Sequence, residues 1–188
     1  AYKRLAISYK LSDILHSTSQ EEQLLEQFLS LIFEIVPADR GVLLMREGPE
    51  GDLQVRTARS REGLIGARPI PISRTIIDRC IEERLAILSQ DATTDERFRE
   101  SDSIFLHDIR STMVVPLVSE NTILGILHLD TYKSVRAFTD DDLHFVVSAC
   151  SDLALLIAHR RILEENLHRQ QMAAVGEVVT DLAHSIKN

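Results

Sequence analysis

The feature that most constrains this chain is a change of hydrophobic period. In STSQEEQLLEQFLSLIFEIV (17–36), Leu24, Leu25, Phe28, Leu31, Ile32 and Ile35 recur at helical spacing and mark one buried face. From residue 41 the period shortens. GVLLMRE (41–47) is short and apolar, GPEGD is turn-forming, and LQVRTARS (53–60) alternates, which together predict a hairpin. STMVVPLVS (111–119) and NTILGILHLDTY (121–132) repeat the pattern around Ser119-Glu120-Asn121. From Thr139 onward the helical period returns and runs to the end. Hairpins make an antiparallel sheet, and helices at both ends must bury their apolar faces on it. The expected class is α+β, with the terminal helices on one sheet face and a cavity on the other, under the connecting loops.

Local signals refine this outline. Ser17, Thr18 or Ser19 is expected to cap the first long helix, with Glu21 and Glu22 at the positive end of its dipole and Pro37 closing it. REGLIGARPIPIS (61–73) reads as loop, SRTIIDRCIEER as a helix capped by Ser73, LAILSQ (85–90) as a strand, and residues 91–109 as a polar connection. Pro116 requires an edge or a bulge in its strand. In TILGILHLD, alternation puts Leu124, Ile126, His128 and Asp130 on one face and Ile123, Gly125, Leu127 and Leu129 on the other. Thr139, followed by Asp140, Asp141 and Asp142, caps the last helix.

Composition limits the function classes. The chain has 188 residues, enough for one ordinary domain with extensions. Its net charge of −8 argues against a surface built to neutralise nucleic-acid phosphates, and the absence of Trp argues against a base-stacking platform. No apolar run reaches bilayer length, no secretory leader opens the sequence, and a start without Met is expected of a piece of a longer protein. Cys80 and Cys150 lie far apart without metal-ligand spacing, as buried reduced thiols of a cytoplasmic protein would. His16, His107, His128, His144, His159 and His168 form no metal-binding motif, so no metal is expected.

Val115-Pro116-Leu117, the hairpin with Gly125 and Asp130, and Phe138-Thr139 through Asp142-Leu143 together resemble a GAF domain. VPADRGVLL (36–44) and DATTDERF (91–98) fit the same pattern, and the resemblance covers residues 18–160. It implies a GAF fold and a sensory or regulatory module. Members of the family bind cyclic nucleotides, tetrapyrroles or metal clusters, and many have no known ligand. TYKSVRAFTDDD keeps Lys133, Phe138 and the acids of the cyclic-nucleotide signature but lacks its Asn and final Glu. His128, on an apolar strand face, is a candidate pocket residue, although a histidine so placed is more often a satisfied half-buried one. The resemblance adds Ser111 and Thr93 as its candidate neighbours. A covalent bilin, or the chemistry of the methionine sulfoxide reductases built on this fold, would need a reactive Cys in a loop, and Cys80 and Cys150 both fall on helices.

MAAVGEVVTDLAHSIKN (172–188) resembles the first helix of the dimerisation and phosphoacceptor domain of sensor histidine kinases. The resemblance places His184 at the phosphorylated position and Asn188 at the supporting Asn one turn later. Ser185 replaces the acidic residue that follows the histidine in the family and is thought to act there as general base. The residues themselves agree with the resemblance. Met172, Val175, Val179, Leu182 and Ile186 step by 3, 4, 3, 4, which is a coiled-coil seam. His184 then takes the outermost position, where an unperturbed imidazole of pKa ~6.5 keeps a neutral nucleophilic nitrogen near neutral pH. A solvated surface histidine would sit there equally well. Upstream, Leu153, Leu156, Arg160, Leu163 and Leu167 step in the same way, but the two registers disagree across HRQQ (168–171), as at a stutter.

The expected organisation is a signalling helix at 1–17, a GAF sensory domain at 18–160, a coiled-coil linker at 161–171 and the start of the phosphoacceptor helix at 172–188. The expected function is the sensory part of a two-component sensor histidine kinase: cytoplasmic, homodimeric, relaying a signal to His184. The sequence has no Gly-rich nucleotide lid and no P-loop-like run. ATP is therefore expected to be used by a catalytic domain of the parent, with a response regulator as downstream partner and a small molecule as a further candidate ligand. The alternatives are a GAF dimerisation module with a degenerate histidine motif controlling another output, or a module binding a small molecule such as a cyclic nucleotide.

Overall fold

The computed structural model describes residues 13, 20–48, 51–65, 72–91, 95, 109–132 and 137–187. In the last helix it describes side chains to Ala173 and at Val175. Helix α1 spans Glu21–Ile35. The cap expected at Ser17, Thr18 or Ser19 lies outside the described residues. The N-cap is Gln20, which makes no side-chain cap hydrogen bond. The helix ends at Val36, whose extended backbone (ψ 131°) is the conformation that Pro37 imposes on the residue before it. The expected helix at 1–17 is described only at Asp13, which is helical.

Strands β1 (Arg40–Arg46), β2 (Leu53–Ser60) and β3 (Gly63–Leu64) follow, then helix α2 (Arg74–Glu83). Strands β4 (Ile87–Ser89), β5 (Ser111–Ser119) and β6 (Thr122–Thr131) precede helix α3 (Asp140–Lys187). The sheet order is β3-β2-β1-β6-β5-β4, with antiparallel pairing between all neighbours. Both expected hairpins form. β3 falls in a segment read as loop, because two residues offer no period to read. Gly63 supplies its turn with φ 136°.

Pro116 sits where its missing N–H does least harm. β4 pairs only with Thr112, Met113 and Val114, so β5 is a free edge at Pro116, and a register shift follows between Leu117 and Val118. That bulge corrects one expectation. Leu117 pairs with Gly125 and Val118 with Ile123, so Leu124 is the extra residue. Ile123, not Leu124, joins Ile126 in the core, and Leu124 is only half-buried.

The sheet is covered on both faces. Leu29 and Phe33 of α1 lie against the face that carries Gly41 and Leu129, where a Cβ on Gly41 would meet Phe33 at 2.7 Å. Ile76, Ile77 and Cys80 of α2 pack on the opposite face with Val42, Leu44, Ala58, Val114 and Ile126. Leu24, Leu25, Phe28 and Ile32 are fully buried, and burial of each such side chain contributes about 1.5–3 kcal/mol.

α3 opens on a reciprocal capping box. The Asp142 N–H donates to Thr139 Oγ1 at 3.2 Å, while the Thr139 N–H donates to Asp142 Oδ2 at 2.9 Å. Val146, Ala149, Cys150, Leu153 and Ala154 are buried. Leu153 is thus committed to the domain core, and the expected coiled-coil seam cannot begin with it. Within Asp140–Ala173 one 18-residue window is long and apolar enough to cross a membrane by length and composition, and 39% of that window is buried within the protein. Core packing accounts for this apolarity in the first turns. The chain divides into one compact unit to Leu155 and a second from Leu156 onward. In the second unit every described side chain from Ile162 to Ala173 is exposed.

Candidate functional site

Strand register builds a polar rung across the α2 face of the sheet. Arg40 pairs with Ser60 on one side and Asp130 on the other, Asp130 pairs with Thr112, and Thr112 with Ser89. The next rung is Ala58, Val42, His128, Val114 and Ile87, so His128 lies between two valines, with the polar rung above it. The period of two puts Arg40 on the face of Val42, and Asp130 on the face of His128.

These side chains form a closed cluster. Arg40 Nη2 and Asp130 Oδ2 form an ion pair, and Arg40 Nε donates to the same oxygen at 3.1 Å. The Arg40 and Asp130 side chains are only 7% and 1% exposed. The guanidinium lies over the Tyr132 ring, 5.4 Å from its centroid. Burial pushes the Tyr132 phenol up to about 12, against the opposing pull of Arg40, so the ring is neutral under the cation.

His128 Nε2 stands 3.1 Å from Thr112 Oγ1 and 3.2 Å from Asp130 Oδ1. The Asp130 oxygen has no hydrogen-bond partner, so the aligned contact is the one to threonine. Thr112 Oγ1 donates to the Leu129 carbonyl at 3.3 Å, which leaves it to accept from a protonated Nε2. Burial holds the His128 pKa below its ordinary value; Asp130 opposes this and Arg40 adds to it. The imidazole is thus neutral, with its proton on Nε2 and a lone pair on Nδ1. Nδ1 is buried without a partner among the described residues. A buried acceptor left unsatisfied costs about 1–3 kcal/mol, so the position favours an approaching N–H or O–H donor.

Asp39 ties this cluster to the end of β6. Its Oδ2 accepts from Thr131 Oγ1 at 2.8 Å and from the Tyr132 N–H at 3.1 Å, and its Oδ1 pairs with Arg61 Nε at 3.0 Å.

The other expected site residues do not gather here. Ser111 is three positions from Val114, so it alternates to the face opposite His128, and its hydroxyl donates to the Ser89 carbonyl at 2.9 Å. Thr93 and Asn188 lie outside the described residues. The backbone at His184 is helical, within α3, and its side chain lies outside those described. Among the described residues no group of three His, Cys, Asp or Glu could hold a metal ion. Cys80 and Cys150 are buried and free. Burial, with a smaller push from Glu83, raises the Cys80 thiol to about 12, and burial raises Cys150 further. Neither thiol is a nucleophile near neutral pH. Reading the sequence singled out His128 but not Arg40 or Thr112. The available signal was the shared parity of 40, 42 and 44 with 126, 128 and 130 once β1 and β6 are paired.

A family model described as "GAF domain" matches residues 20–157. The GAF domain of a phosphoenolpyruvate-protein phosphotransferase from Coxiella burnetii superposes with a TM-score of 0.67 at 19% identity, covering 87% of this chain and 98% of that one. The free methionine-R-sulfoxide reductase from Neisseria meningitidis, in complex with its substrate, gives 0.68 at 14% identity over 85% and 91%. The GAF domain of the cyanobacteriochrome TePixJ gives 0.63 at 15% identity over 79% and 95%. At these identities the likeness establishes the fold alone. No curated protein matches the chain.

Proposed function

The chain belongs to the GAF domain family, a family of sensory and regulatory modules, and we propose that it serves this role in a two-component sensor histidine kinase, relaying a signal along α3 to phosphoacceptor His184. The observation that carries the reading is the continuity of α3. One helix begins at the Thr139–Asp142 box beside the sheet and runs to Lys187 through LAHSIK, with Asn188 next. Helical continuity is what a mechanical relay requires.

The apolar residues that α3 leaves exposed support a homodimer. Leu155 is 68% exposed and Ile162 56%, and with half-exposed Val147 they recur on one outward stripe through the small residues Ser151 and Ala158. Further on, Leu163, Leu167, Met172 and Val175 are also exposed. Residues of this kind are unfavourable in water, and a second copy of the same helix would cover them. The parent's catalytic domain would supply ATP chemistry and a response regulator would receive the phosphoryl group, in the cytoplasm. The His128 cluster is the candidate anchor for a small-molecule input.

Ser185 favours a second reading, a regulatory dimer with a degenerate histidine motif, because it withdraws the acid that would serve as general base. Incubating the chain with ATP and the catalytic domain of its parent separates the two. Acid-labile phosphate on wild type, absent from His184→Ala, supports the phosphoacceptor. No label on a dimeric chain, with a catalytic domain competent toward the full-length parent, refutes it.

A further inference from the structure

A cleft of about 600 Å³ opens between α2 and the β1–β2 hairpin, away from the His128 cluster. Its walls are apolar: Leu44, Leu53, Ile72, Ile77 and Ile81. Its rim carries Arg46, Arg74, Asp52 and Asp78. A smaller hollow of about 200 Å³ continues past Arg46 and Ile81, and is lined by Arg84, Asn121, Thr122 and Ile123. The larger volume is that of a small-molecule site, and its lining combines apolar side chains with charges of both signs.

The rim charges are placed against local stability. Arg74 is the first residue of α2, where a cation opposes the helix dipole, and that first turn has no acid. Arg84 holds a left-handed backbone (φ 55°, ψ 27°) at the exit of α2, where a residue other than Gly costs about 1–2 kcal/mol. Arg74 and Asp78 have i,i+4 spacing yet do not pair. One turn on, Arg79 and Glu83 have the same spacing and sign order and do pair, at 2.7 Å. Arg56–Glu47 and Arg61–Asp39 also close elsewhere on the surface. Around the cleft, Arg74, Arg84, Asp52 and Asp78 have no partner among the described residues. Unpaired charges of both signs, flanking an apolar floor, match a ligand that carries both signs itself.

We propose that this cleft binds a small zwitterion with an aliphatic body, a free amino acid or dipeptide. Its ammonium faces Asp52 and Asp78, its carboxylate faces the arginines toward Arg84, and its side chain lies over Leu44, Ile77 and Ile81. This site belongs to the sensory domain and does not depend on His184 being phosphorylated.

Isothermal titration of the 188-residue chain with L-leucine and L-leucyl-L-leucine tests it, with leucine amide and 4-methylpentanoate as the single-charge analogues. At least one zwitterion binds, and the analogue lacking either charge binds about ten-fold or more weakly. Asp78→Asn and Arg84→Gln each weaken the zwitterion by about ten-fold, while Arg56→Gln, outside the cleft, does not. All three side chains are exposed, and unchanged melting by circular dichroism shows that the variants fold. No heat with either zwitterion at millimolar concentration overturns the proposal. So does an anion-only or cation-only analogue that binds as tightly, or binding indifferent to Asp78 and Arg84.

Discussion

Replacing Arg40 by Met leaves the Asp130 carboxylate inside the fold without its cation. The two side chains are 7% and 1% exposed, so solvent screens the pair little and the interior regime applies. Breaking one side of such a pair costs about 3–5 kcal/mol, because the remaining charge stays buried. Arg40→Met also removes the guanidinium from the Tyr132 ring, a contact of about 0.5–2 kcal/mol. Asp130→Asn keeps that contact but strands the cation. Both single variants should lose about 3–5 kcal/mol, a large share of the 5–15 kcal/mol available to a domain. The double variant Arg40→Met/Asp130→Asn should regain most of the loss, because no charge remains buried. Urea unfolding followed by circular dichroism, at one fixed chain concentration, gives all four free energies and the coupling between the sites. The single variants should melt roughly 6–20 °C below wild type. A loss under about 1 kcal/mol for Arg40→Met would place the pair in the solvent-screened class and refute the argument.

The pH dependence of stability should carry the mark of His128. Its folded pKa lies below the ordinary 6.5, so the folded state favours the neutral ring; its contribution is complete above pH 6.5 and is lost as pH falls from there through the folded pKa. His128→Gln should flatten that slope in urea unfolding between pH 7 and about 5, and an unchanged slope would assign it to other groups. Thr139→Ala removes one half of the capping box and should cost about 0.5–2 kcal/mol by the same assay. Gly125→Ala should be destabilising by roughly 1–3 kcal/mol, since a Cβ there meets the Leu44 carbonyl oxygen at 2.4 Å and Met45 Sδ at 2.6 Å; a neutral result would mean that β1 and β6 separate easily. Leu155→Glu with Ile162→Glu should shift the sedimentation of a dimer to that of a monomer without altering the melting of the sheet domain.

The sheet and helices were legible because long periodic segments announce themselves. The hairpins at 41–60 and 111–132, the capping box at Thr139 and the break at Pro37 all rest on residues adjacent in sequence. The failures have one physical source. They depend on pairing and packing between segments, which no single segment encodes. The bulge at Leu124 arises from the match between β5 and β6, and it moved Ile123 to the face that alternation assigned to Leu124. Leu153 fits a coiled-coil seam by spacing, but the domain core takes it first. Ser111 and His128 share one sheet, yet the parity of β5 against β6 separates them.

The polar cluster shows the same dependence more sharply. Arg40 and Asp130 are 90 positions apart, and only antiparallel registry of β1 with β6 makes them partners. That registry also sets the cluster beside the end of β6. Asp39 and Arg40 are consecutive in the chain. Asp39 holds the Thr131 hydroxyl and the Tyr132 N–H at the end of β6, and Arg40 holds Asp130 and lies over the Tyr132 ring. Seven residues after Tyr132, Thr139 starts α3. A donor arriving at His128 Nδ1 would act on a ring whose other nitrogen meets Thr112 and faces Asp130, and so on the clamp at the end of β6, which precedes α3. The route requires no distant transmission through the sheet. Its test is local: if Asp39→Asn loosens the end of β6, amide exchange should rise at Thr131 and Tyr132 and at the first turn of α3 while β2 stays protected. Exchange rising equally across the sheet would reduce Asp39 to a general stabiliser.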